Sequence, residues 1–238
     1  MINVDMVFDD FEVNADFDFD FDLGDFGDIL DDDNLETRYI KPAIKKNSKV
    51  KYEYAIDLAR EIDIGENSRT FSIVSGNFIF GDFIEALMFE RNLHADEIYI
   101  ATLSMSENNV DSLVNIMQDD RCDKLNLIIS HYFFSHERQN LIPYIYKELD
   151  KDDKFQLAVC GSHSKIALIR CQDKYYVMHG SANLRSSNNL EQFEFEESEE
   201  LYNFNRKYFE DIIEQYSTIK KAVRGNKLWQ VAAKDIAE

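Results

Sequence analysis

The chain has 238 residues, 45% of them hydrophobic, and a formal net charge of −20. That length supports one sizeable core plus a tail. No run approaches the roughly 18 apolar residues of a membrane-crossing helix, the acidic start is unlike a secretory leader, and so negative a balance is unusual for a nucleic-acid binder unless it is concentrated locally.

It is concentrated. Met1 to Glu36 holds 14 acidic residues and no Lys or Arg. Asp16-Phe17-Asp18-Phe19-Asp20-Phe21-Asp22 alternates with strand period, but the charge density, with Gly24 and Gly27, predicts a disordered acidic tail over 1–36. Two roles are open to it: a solubilising tail, or an acidic-aromatic arm whose carboxylates and rings imitate nucleic acid or dock a partner. Arg38, Lys41, Lys45, Lys46, Lys49 and Lys51 then reverse the sign and predict a basic linker over 37–51. Its charge either balances the tail or meets phosphate.

From residue 52 to 238 the pattern is that of one domain. Tyr52 to Ile62 reads as a short helix, and Thr70 to Val74 as a strand. Asp82 to Asn92 has helical spacing, Glu97 to Leu103 is strand-like, and Asn109 to Gln118 is helical again. Lys124 to Ser130 is the next strand, followed by a helix over Leu141 to Leu149 that tolerates Pro143 in its first turn. Phe155 to Cys160 is strand-like. Ile166 to Cys171 and Tyr175 to His179 flank the polar turn Gln172-Asp173-Lys174, and Leu190 to Phe195 is a further strand. Ser198 caps a long amphipathic helix to Ile219, with Glu199 and Glu200 in its first turn. Its stripe is Leu201, Phe204, Tyr208, Ile212 and Tyr216, and Lys220, Lys221, Arg224 and Lys227 follow. Strands alternating with helices predict an α/β fold with a mostly parallel mixed sheet flanked by helices.

Ligands in such sheets bind at the carboxyl ends of strands. Ser75, Ser130 and His131 fall there and are candidate substrate-binding residues. Asn77 and Ser104 fall there too and read as loop or cap residues. His94 and His136 read as surface loop residues, and His179 as either a site or a sheet residue. Cys122, Cys160 and Cys171 form no C-x-x-C pair, so neither a zinc site nor a disulfide framework is expected, and a cytoplasmic setting is the simplest reading.

The chemistry concentrates in Gly161 to Gln192, GSHSKIALIRCQDKYYVMHGSANLRSSNNLEQ. His163 and Lys165 stand at i and i+2, which share one face of a strand. Ser181 and Asn183 repeat that spacing after Gly180. If the turn centres on Asp173, Lys165 lies across from Ser181 and His163 across from Asn183, and a slip of one residue breaks this. A histidine nucleophile, a cation and hydroxyl or amide donors suit attack on an anionic phosphodiester.

His163-x-Lys165 followed by Gly180-Ser181-x-Asn183 resembles the phospholipase D superfamily, nearest to its nuclease-like branch. The likeness runs roughly from Phe71 to Phe195 and is sharp from His163 to Gln192. It implies that His163 is the nucleophile of a phosphohistidine intermediate. It also implies that Lys165, Asn183 and Ser181 hold the phosphate oxygens, that Glu191 fixes the imidazole, and that no metal or cofactor is needed. The family's aspartate, five positions after the lysine, is Arg170 here. One His-x-Lys per chain implies a homodimer supplying the second histidine. The expected substrate is DNA or RNA. A catalytically silent nucleic-acid- or protein-binding module is the alternative, and no membrane partner is expected.

Overall fold

The computed structural model describes residues 47–52, 54–74, 78–185 and 190–218. The acidic stretch 1–36, the linker up to residue 46, Ser75, Asn77 and the basic run after 219 lie outside them. Strands are β1 (Asn47–Tyr52), β2 (Arg69–Val74), β3 (Glu97–Thr102), β4 (Leu125–Ser130), β5 (Phe155–Cys160), β6 (Ile166–Cys171), β7 (Lys174–Gly180) and β8 (Glu191–Glu197). Helices are α1 (Ala55–Glu61), α2 (Phe80–Glu90), α3 (Glu107–Gln118), α4 (His131–His136), α5 (Leu141–Leu149) and α6 (Glu199–Tyr216).

The strands form one sheet in the order β1-β2-β8-β7-β6-β3-β4-β5. β1 pairs parallel with β2, and β4 parallel with both β3 and β5. β8 is antiparallel to β2 and β7, and β6 to β7 and β3. Only β6 and β8 therefore run against the common direction, and the expected mixed sheet is the one observed. β3 and β4 are buried along their whole length, as near-continuous apolar runs in a covered parallel sheet must be. β8 instead alternates, with Phe193 and Phe195 inward and Gln192 and Glu194 on the other side.

Five helices, α1 to α5, pack on one face over the larger core, which joins Leu58, Phe83, Leu87, Leu113 and Ile145 to Ile100, Leu127 and Phe195. Among the described helices α6 alone covers the other face, seated on β5, β6 and β7. Ser198 does cap it, its hydroxyl accepting the Leu201 N–H at 3.3 Å. The apolar stripe differs from the expected one. Tyr202, Phe209 and Ile212 are buried, whereas Phe204 is 56% exposed. The helix also ends at Tyr216 rather than Ile219, because Ser217 turns out to bridge Ala158 of β5.

Two elements were not expected. The end of the basic linker forms β1, and His131 to His136 form α4, so His136 lies on a helix and not in a loop. No described helix is long and apolar enough to cross a membrane.

Candidate active site

The carboxyl ends of β2, β3, β4, β5 and β7 and the amino ends of β6 and β8 meet at one end of the sheet. Every motif residue belongs to this end. Gly161 to Lys165 connects β5 to β6, and β4 and β3 lie between those two strands. Three strand spacings are about 14 Å, which five extended residues can span. His163 is thus carried across the carboxyl ends of β4 and β3. The segment is held by local bonds, from the Ser162 N–H to the Cys160 carbonyl at 2.8 Å and from the Ser164 N–H to the Ser162 hydroxyl at 3.1 Å.

Lys165 Nζ lies 3.1 Å from His163 Nδ1 and 3.2 Å from the His163 carbonyl oxygen. An ammonium has only donors, so Nδ1 accepts and the imidazole proton sits on Nε2. His163 itself is exposed. Partial burial lowers the Lys165 pKa, and the negative charge of Glu191 opposes that shift.

The register of β6 on β7 differs by one residue from the expected one. Ile166 faces His179 and Cys171 faces Lys174, so the turn is the two residues Gln172 and Asp173, and Lys165 lies across from Gly180. The reason is tertiary. Gln172 takes φ 56, and its N–H donates to the Asp96 carboxylate at 2.9 Å, which favours a short turn matched to the strand twist. Ser181 does not meet Lys165 by cross-strand pairing as expected, nor Asn183 meet His163 that way.

The cluster is assembled through β8 instead. The Ser181 N–H donates to the Gln192 carbonyl at 2.9 Å, the Gln192 N–H donates to the Ser181 hydroxyl at 3.1 Å, and that hydroxyl donates to the Glu191 carboxylate. Glu191 is therefore shared between Ser181 and the field around Lys165. Gly180 has a packing reason. A Cβ there would stand 2.2 Å from the Gln192 oxygen and 2.6 Å from Phe193 Cα, so only glycine lets β8 come this close.

Asn183 carries a buried Oδ1 with no hydrogen-bond partner among the described residues. The residue after it is pinned twice, by the Leu184 N–H to Thr102 Oγ1 at 3.3 Å and by the Gly81 N–H to the Leu184 carbonyl at 3.1 Å. Thr102 and Asp96 thus position the motif, and sequence reasoning missed both. A threonine ending a strand and an aspartate preceding one carry no local signal of such a task.

The remaining predicted residues have other surroundings. Ser130 is buried, donates to the Leu103 carbonyl and accepts the Phe133 N–H as the cap of α4, so its hydroxyl is committed internally. His131 is exposed at the same end of the sheet. His179 lies on the α6 face across from Glu194, with Nε2 3.7 Å from that carboxylate, and burial lowers its pKa. Arg170 is at the far end of β6, 3.2 Å from buried Glu97. Arg206 meets the same carboxylate oxygen at 3.1 Å, as does the Tyr202 hydroxyl at 3.0 Å, while the Tyr99 hydroxyl donates to the second oxygen at 3.2 Å. Arg170 is therefore part of a structural ion cluster away from the motif residues.

No protein-family model matches the sequence, and no curated protein matches it. Solved structures do. The fold resembles that of a phospholipase D family member. This is Nuc from Salmonella typhimurium, with 16% identity over 52% of this chain and 81% of that one, at a TM-score of 0.41. NucT from Helicobacter pylori is similar over 62% of this chain and 97% of that one, with 18% identity and a TM-score of 0.44. Polyphosphate kinase from Porphyromonas gingivalis is similar over 61% of this chain and 26% of that one, with 12% identity and a TM-score of 0.47. The likeness is one of fold.

Proposed function

We propose that this chain is a phosphodiesterase that cleaves DNA or RNA without a metal, through a phosphohistidine formed on His163. The observation that carries the reading is the gathering of His163, Lys165, Ser181 and Glu191 into one linked cluster at the carboxyl end of the sheet.

In the resting arrangement Lys165 occupies Nδ1, which leaves Nε2 protonated. An arriving phosphodiester draws the ammonium toward its non-bridging oxygens. The imidazole proton then moves to Nδ1, where Glu191 accepts it as a hydrogen bond, as carboxylates do in catalytic triads. Bare Nε2 attacks phosphorus. The P–N bond forms, the P–O bond to the leaving nucleoside breaks, and the leaving oxygen takes a proton from the His163 of a second copy of the chain. That second histidine, now neutral, deprotonates the water that cleaves the phosphohistidine. The Asn183 side chain and Ser181 steady the phosphoryl oxygens. One imidazole cannot be bare nucleophile and proton donor in the same step, which is the argument for a two-fold dimer with the site at its seam.

A second reading is a catalytically silent binding module on the same fold. Arg170 favours it, since a structural ion cluster stands where the resembled family keeps an aspartate. Cleavage of DNA and RNA oligonucleotides in excess chelator separates the two. The intact chain turns over and His163→Ala does not, while both melt alike. Full activity in the variant, or activity that a divalent ion must restore, overturns the proposal.

A further inference from the structure

We propose that Tyr132, backed by His136, is a stacking platform for an unpaired nucleobase, and that the substrate class is therefore single-stranded nucleic acid. This rests on the nucleic-acid reading above and extends it.

A lone surface aromatic needs no explanation. Three features set this one apart. The first is the make-up of α4, whose Phe133 and Phe134 turn into the core while His131, Tyr132, Ser135 and His136 form its outward face. Tyr132 is 64% exposed, a large ring held in water with its apolar surface unspent.

The second is that the ring is fixed in advance. The Tyr132 carbonyl accepts both the Ser135 hydroxyl at 2.9 Å and His136 Nδ1–H at 2.8 Å. These bonds hold the imidazole against the phenol, with ring centroids 4.0 Å apart and planes at 35°. Tyr132 is supported from behind, and ordering it on binding costs little rotamer freedom.

The third is its place. Tyr132 stands two residues beyond Ser130, the end of β4, and the segment carrying His163 crosses the carboxyl ends of β4 and β3. Both positions therefore belong to the carboxyl end of the sheet in the neighbourhood of β4, the side on which a phosphate held at His163 would present its bases. A base within a duplex is already stacked and paired and presents no open face, so a platform beside the phosphate site selects strands whose bases are free.

The test measures binding by full-length His163→Ala chains, which do not consume the probe, in chelator at physiological salt. The probes are a labelled short single strand, an abasic strand of the same length, and the corresponding duplex. Stacking on one ring is worth at least about a fivefold preference for the base-bearing single strand over the abasic one. Adding Tyr132→Ala brings the base-bearing strand down to the abasic affinity, and Tyr132→Trp keeps the preference. A preference that survives Tyr132→Ala, or one that is missing before it, overturns the platform while the nucleic-acid reading stands. Failure of every probe to bind overturns both.

Discussion

Replacing Gly180 by alanine is the sharpest test of how the site is assembled. The added methyl would lie 2.2 Å from the Gln192 carbonyl oxygen and 2.6 Å from Phe193 Cα, and both obstacles are backbone, so no side chain can swing away. β8 must retreat by roughly 1 Å, since close-packed interiors have no slack to absorb the contact. The ladder bond from the Ser181 N–H to the Gln192 oxygen, now 2.9 Å, would then exceed the ~3.2 Å limit of good geometry. Overpacking of this kind costs about 1–3 kcal/mol and a lost ladder bond about 1 kcal/mol more. The total is about 2–4 kcal/mol. For a domain of this size that lowers the melting temperature by roughly 5–15 °C. Because the displaced strand begins at Glu191, phosphodiester cleavage should fall further than the stability loss explains. Gly65→Ala is the control. There the added methyl meets one Asp63 carboxylate oxygen at 3.0 Å, a side-chain atom that needs to give by only a few tenths of an ångström and not a strand backbone, and the cost stays under about 1 kcal/mol. Thermal and urea melts of the two variants, with activity assayed below both transitions, decide the matter. A Gly180→Ala protein melting within about 1 °C of the parent would refute the close-approach argument.

Three further outcomes are expected. Glu97→Leu strips the shared acceptor from Arg170, Arg206, Tyr99 and Tyr202. It should cost about 3 kcal/mol, the lower end for a broken buried pair because both guanidiniums are partly solvated, and a urea-derived loss under about 1 kcal/mol would contradict it. His179, between Glu194 and Arg69, has a pKa lowered by burial from its ordinary 6.5. The unfolded chain therefore takes up the proton first, and the fold loses stability as pH drops below about 6.5. His179→Gln should gain on the parent between pH 7.5 and 5, and a flat difference across that range would remove the histidine from the account. Sedimentation should show a two-fold dimer, and a strictly monomeric protein of full activity would overturn the shared-site mechanism.

Much of the fold was legible because its signals are local. β5, β6 and α5 lie where apolar runs and turn residues put them. β1 was hidden because its lysines read as a linker, and strand pairing is decided by a distant partner, here β2. α4 is six residues long, too short to display a helical period. The site shows the same division. The i, i+2 spacing of His163 and Lys165 corresponds to a direct contact. The pairing of Ser181 with Glu191 depends on how β8 lies against β7, a non-local register that the hairpin pattern does not display. The stripe of α6 shifted because tertiary packing selected Tyr202 and Phe209 over Phe204.

The position of β8 has a consequence for how the molecule comes into being. In the sheet it is wedged between β2 and β7, yet it is the last of the described strands in chain order. Val74 and Glu191 are register partners separated by almost half the chain. Without β8 the pairings of the sheet divide into two rafts, β1 with β2 and β3 to β7, each with an edge that lacks its partner. Closure of so distant a pairing is slow, and both open edges invite foreign strands meanwhile. The strand that welds the rafts also delivers Glu191. A nascent or locally unzipped chain therefore lacks the Ser181–Glu191 half of the cluster, because completing the sheet and completing the site are one event.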